Sequence, residues 1–100
     1  FRRRRIAMFD AIRDNGLRVA GQGGLGGSSF WMQAPDGVDT ATLAHDLRAE
    51  GVLIEPGKAF FDPARAPDNY YRLAYSSIPQ GRIAEGIARI AAAIARTGYR

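Results

Sequence analysis

Arg72 stands in the middle of NYYRLAY (residues 69–75), a run of otherwise uncharged and largely apolar or aromatic residues. A guanidinium on such a strand is costly to bury unless it has an anion to hold. Anion binding is therefore the chemistry this position offers. Strand alternation sends Tyr71, Leu73 and Tyr75 to one face and Tyr70, Arg72 and Ala74 to the other, and the small Ala74 leaves room beside the arginine. An acid of the same fold, Asp68 or Glu55, would serve the guanidinium equally well as a plain salt-bridge partner.

Other reactive residue types are sparse. Lys58 is the single lysine and hence the Schiff-base candidate, but it adjoins a Pro56-Gly57 turn with Glu55 close in sequence, a setting that does not activate an amine. His45, the single histidine, falls about 200° around its helix from Leu43. With no acid, serine or second ligand on that face it reads as a solvated residue with no catalytic or metal role. Gly21, Gly23 and Gly26 spell G-x-G-x-x-G, yet a dinucleotide loop must follow a strand and open a helix. Here a helix precedes and a strand follows, so residues 21–27 read as flexible or tight-turn glycines leading into a sheet. The chain has no cysteine, which excludes disulfides, thiolate zinc sites and cysteine nucleophiles and suits a reducing cytoplasm.

One hundred residues, 46% of them hydrophobic, suffice for a single domain. The net charge of +4 comes from one place: Arg2 to Arg5 supply four of the 14 basic residues, and the remaining ten balance ten acids. Four consecutive arginines wrap around a helix without forming a stripe, so a solvated helix start is expected rather than a nucleic-acid footprint. There is no apolar run of membrane-spanning length and no signal-peptide pattern, from which a soluble, cytoplasmic protein without membrane contact is expected. The chain opens on FRRRR without a methionine, which reads as part of a longer protein.

The elements that must position Arg72 are legible in order. Ile6, Phe9 and Ile12, with Met8 alongside, predict an amphipathic helix over residues 2–15, stopped by Gly16. SSFWMQAP predicts a strand with Phe30, Met32 and Ala34 toward a core and Trp31 and Gln33 away from it. Trp31 is then either a surface aromatic or a residue packed against another part of a longer protein. Asp39 predicts an N-cap, Val38 a staple to Leu43, and Leu43, Ala44 and Leu47 a buried stripe ending at Gly51. Val52 to Glu55 predicts a buried strand closed by Pro56 and Gly57, and the connector over residues 58–69 is long enough to be functional. After the Arg72 strand, Ser77 and Gln80 have capping-box spacing around Pro79. Ile83, Ile87, Ile90 and Ile94 predict the last helix, with Arg82, Arg89 and Arg96 on another face, a Glu85–Arg89 pair and a stop at Gly98. The expected fold is α+β: a three-stranded sheet covered by helices in the order helix, strand, helix, strand, strand, helix (αβαββα).

GGSSFWMQAPDGVDTATLAHDLRAEGVLIEPGKAFF followed by NYYRLAYSSIPQGRIAEGIARIAAAI resembles the C-terminal small domain of fold-type-I, pyridoxal-phosphate-dependent aminotransferases (class I/II). The resemblance lies in the glycines before an aromatic strand, the V-x-I-x-P-G-x-x-F turn and loop, the Y-R-L strand and the S-x-x-P-x-x-R-I-x-E-G-I helix start, and it covers essentially the whole chain. It implies that Arg72 forms a bidentate salt bridge with the α-carboxylate of an amino acid. Gly57 to Phe61 would border the pocket, with Phe60 or Phe61 as an apolar wall. It also implies pyridoxal 5'-phosphate in the full-length parent, held by a large domain of the same polypeptide. This chain has no counterpart of the aldimine lysine, the pyridinium aspartate or the phosphate-binding residues, so the domain alone is expected to bind no cofactor and catalyse nothing. A homodimeric parent is expected.

Two parents fit the resemblance. LIEPGKAFF, NYYRLAYSSIP and FWMQAPDG look closer to MocR-type regulators of the GntR family, which reach DNA through an N-terminal winged helix. The alternative is an aminotransferase acting on amino, aromatic or aminoadipate-type acids. A third reading is a free-standing interaction module. The isolated domain is expected to expose an apolar surface around Trp31, Phe60 and Phe61 and to self-associate through it.

Overall fold

Left-handed glycines close the first two helices. The computed structural model describes residues 2–23, 29–57, 69–74, 77–79 and 81–97. Helix α1 (Arg2–Asp14) ends at Gly16, whose φ is 68°. The Gly16 amide donates to the Arg13 carbonyl and the Leu17 amide to the Ile12 carbonyl, both at 3.1 Å, which is the Schellman pattern. Helix α2 (Thr40–Arg48) stops the same way: Gly51 has φ 83°, and the Gly51 and Val52 amides donate to Arg48 and Leu47 at 3.1 Å. Its start is capped as expected, with the Ala41 amide donating to Asp39 Oδ1 at 2.9 Å.

The chain forms a four-stranded antiparallel sheet, with β1 (Arg18–Gly23), β2 (Ser29–Gln33), β3 (Glu55–Pro56) and β4 (Tyr70–Ala74) in the order β1-β2-β4-β3. With α3 (Ile83–Arg96) the element order is αββαββα, which corrects the expected three strands and αβαββα order. The missed strand is β1, RVAGQG. It has one β-branched residue, two glycines and no apolar alternation, so its strand character comes from the ladder it forms with β2, not from local propensity. Its register shifts between Val19 and Gly21, as glycine inside a strand permits. Gly21 and Gly23 therefore belong to a strand and not to a turn, and Gly26 lies outside the described residues.

The apolar run at residues 52–55 is also narrower as a strand than expected. Only Glu55 and Pro56 enter the ladder, and Pro56 is tolerated because β3 is an edge. Val52 and Ile54 are buried, while Leu53 is 54% exposed.

One face of the sheet carries Phe30, Met32, Tyr71 and Leu73 into a core shared with all three helices. Residues Met8, Ala11 and Ile12 form the buried stripe of α1, whereas Ile6 and Phe9 are exposed at 56% and 44%. This corrects the expected Ile6/Phe9/Ile12 face: the i, i+4 pair Met8–Ile12 points at the sheet, and Ile6 lies about 200° from Met8. Phe9 instead stacks along Phe30, ring centroids 6.3 Å apart. On α3 the expected stripe is present, with Ile87, Ile90 and Ile94 buried and Ile83 packed at the margin. Arg89 bridges Glu85 and Glu50, and Arg96 reaches Glu50. These arginines hold the Glu50 carboxyl below the usual carboxylate range, chiefly through the Arg89 hydrogen bond.

Helix α3 does not begin at the Ser77–Gln80 box. Gly81, at φ 88°, lies between that box and the helix, and a left-handed residue there ends any continuous right-handed turn. The helix starts at Ile83 with no side-chain cap from Arg82, and Ser77 Oγ instead accepts from the Ala74 amide at 2.9 Å. Gln80 and Gly98 lie outside the described residues. Among those described, no helix is long and apolar enough to cross a membrane.

Gly86, inside α3, marks where the segment before the helix docks. A Cβ there would fall 2.6–2.9 Å from three atoms of Ile78, which is itself 1% exposed. Helix propensity alone would favour Gly86→Ala by about 1 kcal/mol. A buried isoleucine with nowhere to swing reverses that sign, and Gly86→Ala is expected to destabilise the fold by about 1–3 kcal/mol. A lowered denaturation midpoint at unchanged m-value is the measurement that checks it.

Candidate functional site

Strand β4 lies between β2 and β3, and its alternation divides it between two tasks. Tyr71 and Leu73 are fully buried toward the helices, so Tyr70, Arg72 and Ala74 turn to the opposite face. Arg72 pairs in register with Trp31 on β2 and with Glu55 on β3. Residues directly opposite in antiparallel strands share a face. Trp31, Arg72 and Glu55 thus form a row across the sheet, on the side away from the helical core.

Arg72 Nη1 donates to Glu55 Oε1. Of the two acids that sequence reasoning offered as internal partners, the structure brings up Glu55, while Asp68 lies outside the described residues. The Arg72 side chain is 30% exposed and that of Glu55 47%, so the pair is solvent-accessible and worth no more than about 1 kcal/mol.

The entry of β4 is held by residues that sequence reasoning did not single out. The Ala34 amide donates to the Asn69 carbonyl, and Asn69 Nδ2 donates back to the Ala34 carbonyl, each at 2.7 Å. Thr40 Oγ1, at the first turn of α2, donates to the Tyr70 carbonyl at 2.8 Å. Both side chains are buried. Their roles depend on partners some 30 residues distant, and only the polar type of each residue at a strand or helix start hints at them.

Gly57, expected along the pocket border, is buried at the end of β3. A Cβ there would come within 2.8 Å of the Tyr70 carbonyl oxygen. Glycine is required for that backbone approach, which keeps β3, and with it Glu55, tight against β4. Phe60, Phe61 and Lys58 lie outside the described residues. His45 is 88% exposed and lies 3.6 Å from its neighbour Asp46. No group of three His, Cys, Asp or Glu able to hold a metal occurs among the described residues. A cavity of about 400 Å³ opens at the far end of β2, lined by Asn15, Arg18, Gln33, Asp36 and Ile94 among others, and Arg72 does not line it.

The row can hold an anion on a guanidinium beside an aromatic ring. It does not fit a pyridoxal group: the described residues include no lysine for a Schiff base.

No family model matches the chain. It is 69% identical over 94 residues, 94% of its length, to the HTH-type transcriptional regulator TauR of Rhodobacter capsulatus. It is 39% identical over 69 residues, 69% of its length, to aromatic-amino-acid aminotransferase 1 of Thermococcus litoralis. The chain spans only 19% and 16% of the length of these two relatives. Among solved structures, the kynurenine aminotransferase of Pyrococcus horikoshii, in complex with PMP, superposes with a TM-score of 0.79 at 28% identity. That match covers all of this chain and 25% of the enzyme's. With this sheet order, this helical face and these similarities, the chain is an aminotransferase-like domain, homologous to a segment of a transcriptional regulator and to part of the aminotransferases.

Proposed function

We propose that this is the C-terminal small domain of a pyridoxal-phosphate-dependent, aminotransferase-like protein, and specifically of the effector region of a GntR/MocR-type transcriptional regulator. The observation that carries the regulator reading is the 69% identity to TauR over nearly the whole chain, against 39% over a shorter span for the aminotransferase. In this reading Arg72 binds the α-carboxylate of an amino acid, because a planar guanidinium matches a planar carboxylate through two parallel hydrogen bonds. Trp31 and the loop carrying Phe60 and Phe61 would border that ligand. The pyridoxal phosphate would belong to the large domain of the same polypeptide, since the described residues do not fit it. DNA contact would come through a separate N-terminal domain, in a homodimeric cytoplasmic protein.

A second reading, a genuine aminotransferase, is favoured by the likeness to the Pyrococcus enzyme. Both relatives carry the matched segment within a much longer chain, which favours either reading over a free-standing interaction module. The two are separated by one experiment on the full-length protein. Amino acid should change its affinity for its own promoter DNA without stoichiometric release of oxo acid. Sustained oxo-acid formation with an added acceptor, and no response on DNA, would overturn the regulator reading in favour of the enzyme.

A further inference from the structure

We infer that Glu55 is a built-in competitor for the amino-acid carboxylate: it occupies the Arg72 guanidinium until the ligand displaces it, and so sets the affinity of the site. The inference rests on the reading of Arg72 as the carboxylate receptor. The chemistry is a like-for-like exchange, since the Glu55 side chain presents to Arg72 the same group that an amino acid would.

Three features of the fold favour exchange over a permanent clamp. The Glu55–Arg72 register puts both side chains on one face at directly opposed positions, so the competitor meets Arg72 without any backbone motion. The pair is open to solvent, 47% exposed on the glutamate side, and exposed pairs are weak enough to be displaced. The backbone of Glu55, by contrast, is held. Pro56 fixes one dihedral beside it, and Gly57 sits against the Tyr70 carbonyl. A ligand therefore moves a side chain rather than a strand. Two carboxylates drawn to one guanidinium repel each other, so a bound ligand and a bound Glu55 oppose each other even where both could be accommodated.

The test is titration of the full-length protein, loaded with its cofactor, with the proteinogenic L-amino acids. The tightest binder and its decarboxylated amine are then carried into variants. Glu55→Gln keeps the shape and removes the charge, and should tighten the amino acid about two- to fivefold, the amount an exposed pair can contribute. It should leave the amine unchanged, and in an Arg72→Lys background its effect should shrink, because the two residues act on each other. An amino-acid affinity that is unchanged or weakened in Glu55→Gln, while Arg72→Lys weakens it strongly, would overturn competition and leave the Arg72 reading intact. If no amino acid binds, or if Arg72→Lys binds as well as the parent, the carboxylate reading itself fails and the competitor role falls with it.

Discussion

Replacing Arg72 with alanine in the full-length protein is expected to weaken amino-acid binding about a hundredfold or more while cofactor loading persists. Two charge-assisted hydrogen bonds to one carboxylate contribute on the order of 3 kcal/mol together, which is roughly that factor. Alanine also leaves the Glu55 carboxylate facing the ligand with nothing between them. Arg72→Lys retains the charge but not the fork, so an intermediate loss, about tenfold, is expected from the missing second bond. The fold should tolerate both changes, because the Arg72 pair is solvent-exposed and the core lies on the other side of β4. Calorimetric titration of parent and variants with the same amino acid, beside the cofactor's absorbance, separates the outcomes. Unchanged affinity would remove the carboxylate assignment, and loss of cofactor would move Arg72 to the other half of the site.

The sequence made this strand easy to read because its two faces differ in chemistry at every step. Tyr71 and Leu73 alternate with Tyr70, Arg72 and Ala74, and the observed burial follows that alternation residue by residue. Gly16 and Gly51 were equally legible, since a left-handed helix stop depends on the glycine itself and its immediate neighbours. Strand β1 was not, and the reason is physical. A strand made of Arg, Val, Ala, Gly and Gln carries little propensity of its own, and it exists because β2 offers it an open edge. The start of α3 was misplaced for the opposite reason. Ser77, Pro79 and Gln80 carry a strong local helix signal, and Gly81 together with the docking of Ile78 against Gly86 overrides it.

The candidate site shows the same division between local and distant causes. Arg72 was visible as a charge out of place on an apolar strand. Glu55 was one of two acids that could answer it, and only the pairing of β3 with β4 shows that it does. Asn69 and Thr40 were invisible as positioning groups, because hydrogen bonds to backbone atoms some 30 residues distant leave no periodic trace. A two-residue strand therefore matters here beyond its size, since it brings an acid to the one arginine whose binding role the strand pattern suggests.

Tyr71→Ala is expected to have the largest effect on folding, about 3–5 kcal/mol, the range for emptying an aromatic position in a closed core. The side chain has no exposed surface and, among the described residues, is the largest of the fully buried ones. A domain of this size has only about 5–15 kcal/mol in total, so the variant should unfold at markedly lower denaturant or fail to fold at all. Tyr71→Phe keeps the ring and gives a more selective test. Burial pushes the Tyr71 hydroxyl well above its ordinary pKa of 10.0, because the phenolate cannot be solvated inside the core. Above that ordinary value the unfolded chain releases this proton while the folded chain keeps it, so the unfolded state binds fewer protons and stability falls as pH rises. The slope is about 1.4 kcal/mol per pH unit, beginning near pH 10 and absent below it. Tyr71→Phe should remove most of this alkaline decline while leaving stability at neutral pH within about 1.5 kcal/mol of the parent. Denaturant midpoints measured at neutral pH and above pH 10 in the parent and Tyr71→Phe decide it: a decline of equal slope in both would assign the alkaline sensitivity to groups other than the tyrosine that backs the arginine strand.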